Sequence, residues 1–177
     1  MKLGFDLLSD DEDVLEAAIA AAVKAGAPGE RGLLDTLRFA HDEHHAAGIV
    51  SALGEVDGPD GVAVLREIIA QPEDPLEVRT TALVALTKRQ GVAASDVLLT
   101  CLSDWHHFMP GYALMGLASV GDDRAWPDVM DWLRRDLDSV EPNPEHDFDD
   151  RTLVAQSDIK WSQSLRQASK TSDAATP

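Results

Sequence analysis

Two groups of histidines are the residues whose type and spacing could do chemistry. His41, His44 and His45 fall on about one helical turn, with Asp42 and Glu43 between them. Histidines four residues apart project from one helix face, so His41 and His45 have the spacing to share a metal ion. The alternative is a solvated, acid-flanked helix start, because no Glu directly follows the first His as it does in the zinc-protease motif.

The second group is His106 and His107, which follow Trp105. The internal repeat described below places the second group two helix pairs further along the fold. Packed helices lie about 8–10 Å apart, so several such steps separate the two groups by about 30 Å or more. Metal–nitrogen bonds of about 2 Å cannot bridge that distance. The two groups therefore cannot form one mononuclear site, and we expect them on one exposed ridge of loops.

Tryptophans cluster near the second group, at Trp105, Trp126 and Trp132. Core packing at the end of the fold is one interpretation, because aromatic side chains bury large areas. The other is that Trp105 and His106 anchor a partner, since Trp is enriched at binding hot spots. The candidate partner-binding residues are His44, His45, Glu77, Trp105, His106 and His107.

We predict no catalytic residue, cofactor or metal ligand. The sequence contains no phosphate-cradling glycine loop, nucleophile elbow or Cys/His dyad. The single Cys101 cannot form an internal disulfide, and its leucine neighbours indicate a buried small hydrophobe. The sequence therefore predicts a protein that is not an enzyme.

An internal repeat predicts the elements that position these residues. Residues 45–53, 78–86 and 109–117 align, and Leu53 and Leu86 are 33 residues apart, with Leu117 a further 31 residues on. A period of this size is typical of stacked supersecondary units. Ala and Leu dominate and no segment alternates with period two, which favours helices over strands. The predicted fold is all-α: an α-solenoid of about four antiparallel helix pairs.

Capping and breaking residues predict where the helices begin and end. Ser9 with Glu12 three residues later predicts the first helix start, and residues 26–29, with Pro28, predict its end. The second helix is expected from about Glu30. The later pairs are predicted at about 42–56 with 59–70, 76–89 with 94–102, and 109–120 with 124–137. Residues 1–138 then form the repeat domain, and residues 139–177 form an acidic, Pro-containing linker and a polar tail, either flexible or docked.

The charge balance limits the class of partner. The chain has 32 acidic and 15 basic residues and a formal net charge of -17. Such a field repels nucleic acid and anionic lipid and attracts basic proteins. No apolar run reaches the roughly 20 residues that span a bilayer, and the acidic N-terminus is unlike a signal peptide. We expect a cytoplasmic protein that binds neither membranes nor nucleic acid.

Several segments resemble a known repeat family. Residues 52–56 (ALGEV) followed by 60–65 (DGVAVL), residues 78–86 and residues 121–127 are similar to the short HEAT repeats of bacteria. The resemblance covers residues 42–137 well and residues 10–40 weakly. It implies an extended surface for binding other proteins.

Two relatives of this family suggest different chemistry. Deoxyhypusine hydroxylases hold two irons with His-Glu pairs at the starts of HEAT helices, and bilin-lyase-type HEAT proteins handle a chromophore. Here His44 is followed by His45, and His45 by Ala46, so the His-Glu pair is absent. That departure argues against a di-iron site.

Three functional hypotheses follow from these observations. The first is a non-enzymatic protein–protein interaction module whose acidic surface binds a basic partner, including an inhibitor or immunity-like protein. The alternative is a metal-dependent or chromophore-handling HEAT protein of the deoxyhypusine-hydroxylase or bilin-lyase type. The third is a DNA mimic, which requires acids aligned along one face at the spacing of phosphates.

Overall fold

The computed structural model describes residues 7–40, 42–104, 106 and 108–139, with side chains described as far as Arg135. Contacts divide the chain into two compact units, residues 1–129 and 130–177. Each unit is described by itself below.

The first unit is built from helix pairs. The first helices of successive pairs are α1 (Glu12–Ala25), α3 (Glu43–Leu53), α5 (Leu76–Gln90) and α7 (Met109–Val120). The second helices are α2 (Ala27–Leu37), α4 (Gly61–Ala70), α6 (Ser95–Cys101) and α8 (Trp126–Ser139), the last of which continues into the second unit. Short 3₁₀ turns at Gly91–Ala94 and Asp123–Ala125 precede α6 and α8. The described residues contain no strand, and the prediction of an all-α helical solenoid is confirmed.

Equivalent residues of the repeat form the core. Helix α5 packs against both α3 and α7, and also against α4. Leu53, Leu86 and Leu117, aligned from the sequence, are all buried where these first helices meet their neighbours. In the second helices, Leu65 and Leu98 are buried at equivalent places. The repeat period therefore marks the residues that bury apolar surface between units.

Small residues allow the first helices to approach closely. Gly54 ends α3, and a Cβ atom at this position would lie 2.8 Å from Cα of Ala85 in α5. The contact between α1 and α2 is similar, since a Cβ on Gly29 would meet the backbone of Ala22. The Ala-rich composition thus corresponds to close helix packing.

Two predicted helix boundaries are wrong. Asp11, rather than Ser9, is the N-cap of α1, and its carboxylate accepts hydrogen bonds from two backbone N–H groups of the first turn. Ser9 instead accepts from the N–H of Asp11. Helix α2 begins at Ala27, because Pro28 fits the first turn of a helix, where its missing N–H costs nothing. The chain reverses at Gly26, whose φ of 63° suits glycine.

Of the second unit, the structure describes only the continuation of α8 as far as Ser139. The predicted linker and tail, residues 139–177, otherwise lie outside the described residues. The predicted domain boundary after residue 138 stays a prediction.

Candidate protein-binding edge

The first helices start at one edge of the first unit. Helices α3 and α5 are neighbours, and Lys88 Nζ of α5 lies 2.9 Å from Glu55 Oε1, its equivalent near the end of α3. Because equivalent positions meet, the two helices run parallel and their starts lie side by side. We call the described residues of 38–45, 71–78 and 102–109 the inter-repeat edge. His44 and Glu77 are exposed at equivalent places on it, in the first turns of α3 and α5.

His45 is largely enclosed at this edge, with 13% of its side chain exposed. Its Nδ1 lies 2.6 Å from Asp42 Oδ2, and its Nε2 lies 3.2 Å from the carbonyl oxygen of Ser9. Both neighbours are hydrogen-bond acceptors, so the protonated ring can donate to both of them at once. The hydrogen bond to Asp42 and that to Ser9 raise the pKa of His45. His45 therefore ties the segment before α1 to the start of α3 and places residues 9–13 at the inter-repeat edge.

This geometry bears on whether His41 and His45, which have the spacing to share a metal ion, could do so. Both ring nitrogens of His45 are already engaged, and His41 lies outside the described residues. His44 is exposed, with its ring centroid 6.2 Å from that of His45 in an edge-to-face arrangement. Across the part of the chain that the structure describes, no three His, Cys, Asp or Glu side chains are grouped as metal ligands.

A buried ion pair holds the loop that carries His106. The Arg79 guanidinium of α5 is buried and lies 2.5 Å from Asp104 Oδ2, and it also donates to the carbonyl of Ile69 at the end of α4. Asp104 Oδ1 accepts from the His106 N–H at 2.9 Å. Burial alone would raise the pKa of Asp104, but the Arg79 hydrogen bond and the His106 N–H hold it below its ordinary value. The ion pair therefore anchors Asp104, and through it the backbone of His106, to α5.

The second histidine group is described only in part. His106 is half-buried, and its ring stacks on Phe108 with centroids 5.9 Å apart. Trp105 and His107 lie outside the described residues, so their roles stay predictions. Trp126 is half-buried, as is Trp132.

Sequence reasoning missed a second buried ion pair at the opposite ends of the first helices. Glu30 of α2 is only 1% exposed, and its carboxylate accepts from the N–H groups of Asp60 and Gly61 and from Arg89 Nη2, the last at 2.7 Å. Arg89 also donates to the carbonyls of Leu53 and Gly58. Burial would raise the pKa of Glu30, but these donors outweigh it and lower the pKa. One carboxylate thus joins α2, the start of α4 and the end of α5.

Helical spacing was the signal that could have identified Glu30. Glu30 precedes Leu33, Leu34 and Leu37 by three, four and seven residues, so it belongs to the apolar face of α2. A carboxylate on such a face is buried and must have partners.

Ion pairing leaves the surface negative. Five of the eight Lys and Arg residues between residues 7 and 129 form ion pairs: Arg66, Arg79, Lys88, Arg89 and Arg124. Several acids of residues 9–13 and of the inter-repeat edge are exposed and form no ion pair with a described residue: Asp10, Glu12, Asp13, Glu43, Glu73 and Glu77. The potential at this edge is therefore negative and attracts cationic surfaces.

The fold defines the class of protein: an α-helical repeat protein whose pairs bury their apolar faces against one another. The sequence model of HEAT repeats matches residues 30–109, from α2 to the start of α7, and this segment of the chain belongs to the HEAT-repeat family. HEAT repeats commonly mediate protein–protein interaction. No curated protein and no solved structure matches the chain. Among the described helices, none has the length and apolar character that crossing a membrane requires.

Proposed function

We propose that this protein is a non-enzymatic binding module that receives a basic protein at the inter-repeat edge. The observation that carries the proposal is the excess of acids at this edge, where the exposed Glu43, Glu73 and Glu77 outnumber the exposed Arg38. Most cations of the same unit are held in ion pairs, so they do not offset these acids. Within this class we favour an inhibitor or immunity-like protein, because electrostatic complementarity speeds capture of a basic target and excludes others.

Charge reversal at the edge tests the proposal. The partner is first captured from a cell extract at low salt, identified, and titrated against the purified full chain at several salt concentrations. We expect Glu43→Lys with Glu77→Lys to weaken binding about tenfold or more, mainly through slower association. The control is Glu16→Lys with Glu67→Lys, which makes the same change in net charge at exposed acids of α1 and α4. Equal loss in both pairs would indicate attraction to net charge rather than to the edge.

Salt dependence is the second readout. Exposed charges are screened over about 8 Å at physiological ionic strength, so affinity should fall steeply with salt. A basic partner whose affinity ignores salt would contradict the electrostatic part of the proposal.

Metal analysis decides the alternative of a metal- or chromophore-handling protein. Stoichiometric iron or zinc in untagged protein, lost in the His41→Ala and His45→Ala double variant, would support that alternative and count against the proposal.

A further inference from the structure

An exposed apolar patch lies on the outer faces of α5 and α7. It consists of Val84 on α5 together with Phe108, Tyr112 and Met115 at and after the start of α7. The last three occupy positions i, i+4 and i+7, which fall on one helix face. Val84 and Met115 are equivalent positions of the repeat on adjacent packed helices, so the four side chains share one surface.

Phe108 also stacks on His106, but the fold does not require apolar residues at the positions of Val84, Tyr112 and Met115. On α3, the equivalents of Phe108, Tyr112 and Met115 are His44, Gly48 and Ser51. Helix α3 is also a first helix, and it packs against α5 as α7 does. Val84 is 53% exposed and Met115 is 69% exposed, so neither contributes much to the core. Single exposed apolar residues are ordinary, but a group on one surface marks a binding site.

Charge next to the patch indicates its occupant. The exposed acids Glu73 and Glu77 lie just before and within the first turn of α5, and Glu77 is the repeat equivalent of Phe108 on the neighbouring helix. An apolar stripe bordered by acids complements an amphipathic helix that carries basic residues beside its apolar face. Methionine and aromatic side chains suit such contacts, because Met adapts its shape and aromatic rings anchor.

We propose that this patch docks a basic amphipathic helix of a partner protein. The inference rests on the proposed function, and it adds the apolar contacts that follow electrostatic capture at the inter-repeat edge.

Two synthetic peptides test the patch. One is a labelled helix of about five turns with a leucine face and a lysine face, and the other is its scramble, with the same charge but no apolar face. Fluorescence anisotropy with the full chain measures both affinities. We expect the amphipathic peptide to bind at least about tenfold more tightly than the scramble.

Serine substitutions separate the contribution of the apolar patch to binding from the contribution of the charge. Val84→Ser with Met115→Ser adopts the residue that α3 already has at the equivalent Ser51 and leaves net charge unchanged. We expect this variant to lose the preference for the amphipathic peptide and to keep the affinity for the scramble. Val92→Ser, at an apolar residue of similar exposure (45%) outside the patch, should keep both affinities.

The outcomes separate the two proposals. If the wild-type chain binds both peptides equally, the proposal of a docking patch is wrong, whereas the proposal of electrostatic capture at the inter-repeat edge is unaffected. Binding of neither peptide would count against both proposals. A preference retained in the Val84→Ser and Met115→Ser variant would place the apolar contact elsewhere.

Methionine oxidation tests whether another part of the protein already covers the patch. Met115 is exposed and Met109, six residues earlier, is fully buried, so peroxide should oxidise Met115 quickly and Met109 slowly in the free chain. The amphipathic peptide should protect Met115. Protection of the free chain that grows with protein concentration would indicate a second copy as the occupant, and protection at every concentration would indicate coverage by the chain itself. Either result would overturn the proposal.

Discussion

Replacement of Glu30 by Gln should destabilise the fold strongly, although the change removes only a charge. All three partners of the Glu30 carboxylate are donors, namely the N–H groups of Asp60 and Gly61 and the guanidinium of Arg89. A glutamine places its own NH₂ donor against one of them and leaves the Arg89 charge buried without its counterion. Loss of one partner of a buried pair costs about 3–5 kcal/mol. Since Gln keeps one acceptor oxygen and the shape, we expect about 3 kcal/mol.

The neighbouring ion pair is a matched control. Glu55 and Lys88 are 2.9 Å apart, close to the 2.7 Å of Glu30 and Arg89, but their side chains are 50% and 59% exposed. Exposed pairs contribute about 0–1 kcal/mol, so Glu55→Gln should change stability little. Both variants are measured by urea unfolding followed by far-UV circular dichroism. With slopes of about 1–3 kcal/mol/M, Glu30→Gln should lower the midpoint by about 1 M or more.

Two further results would refute this account of Glu30. Arg89→Met combined with Glu30→Gln should cost less than the sum of the single changes, because both remove the same contact, and strict additivity would contradict direct pairing. The sign of the pH dependence follows from the lowered pKa of Glu30. The carboxylate stabilises the fold above the ordinary Glu pKa of about 4.3 and loses this effect as the pH falls through its own lower value. The cost of Glu30→Gln should therefore shrink in acid, and a cost that grew in acid would be inconsistent with the pairing.

Three other predictions concern packing, pH and reactivity. Gly54→Ala should destabilise the fold by about 1–3 kcal/mol, because the added Cβ would clash with the backbone of α5, whereas Gly48→Ala, where no atom lies within 4 Å of the added Cβ, should stabilise it by about 0.5–1 kcal/mol. Equal effects of the two substitutions in urea unfolding would contradict the close approach of α3 and α5. At pH values below the ordinary His pKa of about 6.5, amide hydrogen exchange near Ser9 should be faster in His45→Ala than in the wild-type chain, and this difference should disappear as the pH rises through the raised pKa of His45. A difference seen only at high pH would contradict the hydrogen bond between His45 and Ser9. Burial raises the pKa of the Cys101 thiol to about 11, so thiol reagents should label the native chain far more slowly than the unfolded chain; equal rates would show that the thiol is accessible.

The sequence predicted the helices and their stacking because one physical requirement produces both the period and the burial. Leu53, Leu86 and Leu117 recur because each pair buries its apolar face only against its neighbours, so equivalent positions are equally buried. Cys101 was predicted as a buried small hydrophobe for a similar local reason, and it is buried. Helix starts were less predictable, because Ser9 and Asp11 are both competent caps and only the fold selects between them.

The two buried ion pairs, one at the candidate site and one at the opposite ends of the first helices, could not be predicted, since they join residues that are distant in the sequence. Glu30 and Arg89 are 59 residues apart, and Arg79 and Asp104 are 25 apart. From composition alone, such charged residues are expected at the surface, although both ion pairs lie in the interior. His45 was also predicted from the sequence to contact a partner, whereas its ring is enclosed between Asp42 and Ser9.

The same ion pairs account for both the cohesion and the surface potential of the first unit. Arg89 of the third helix pair joins Glu30 of the first pair at one end of the first helices. At the other end, Arg79 of the third pair joins Asp104, which follows α6, and the carbonyl of Ile69 in the second pair. A cation used in this way is surrounded by protein acceptors and contributes little potential outside. Each buried pair removes one acid and one cation from the surface, so the remaining acids outnumber the remaining cations by a larger ratio than the 32 to 15 of the whole chain. It follows that Arg89→Met should lower stability with little effect on capture of a basic partner, whereas Glu77→Lys should weaken capture with little effect on stability.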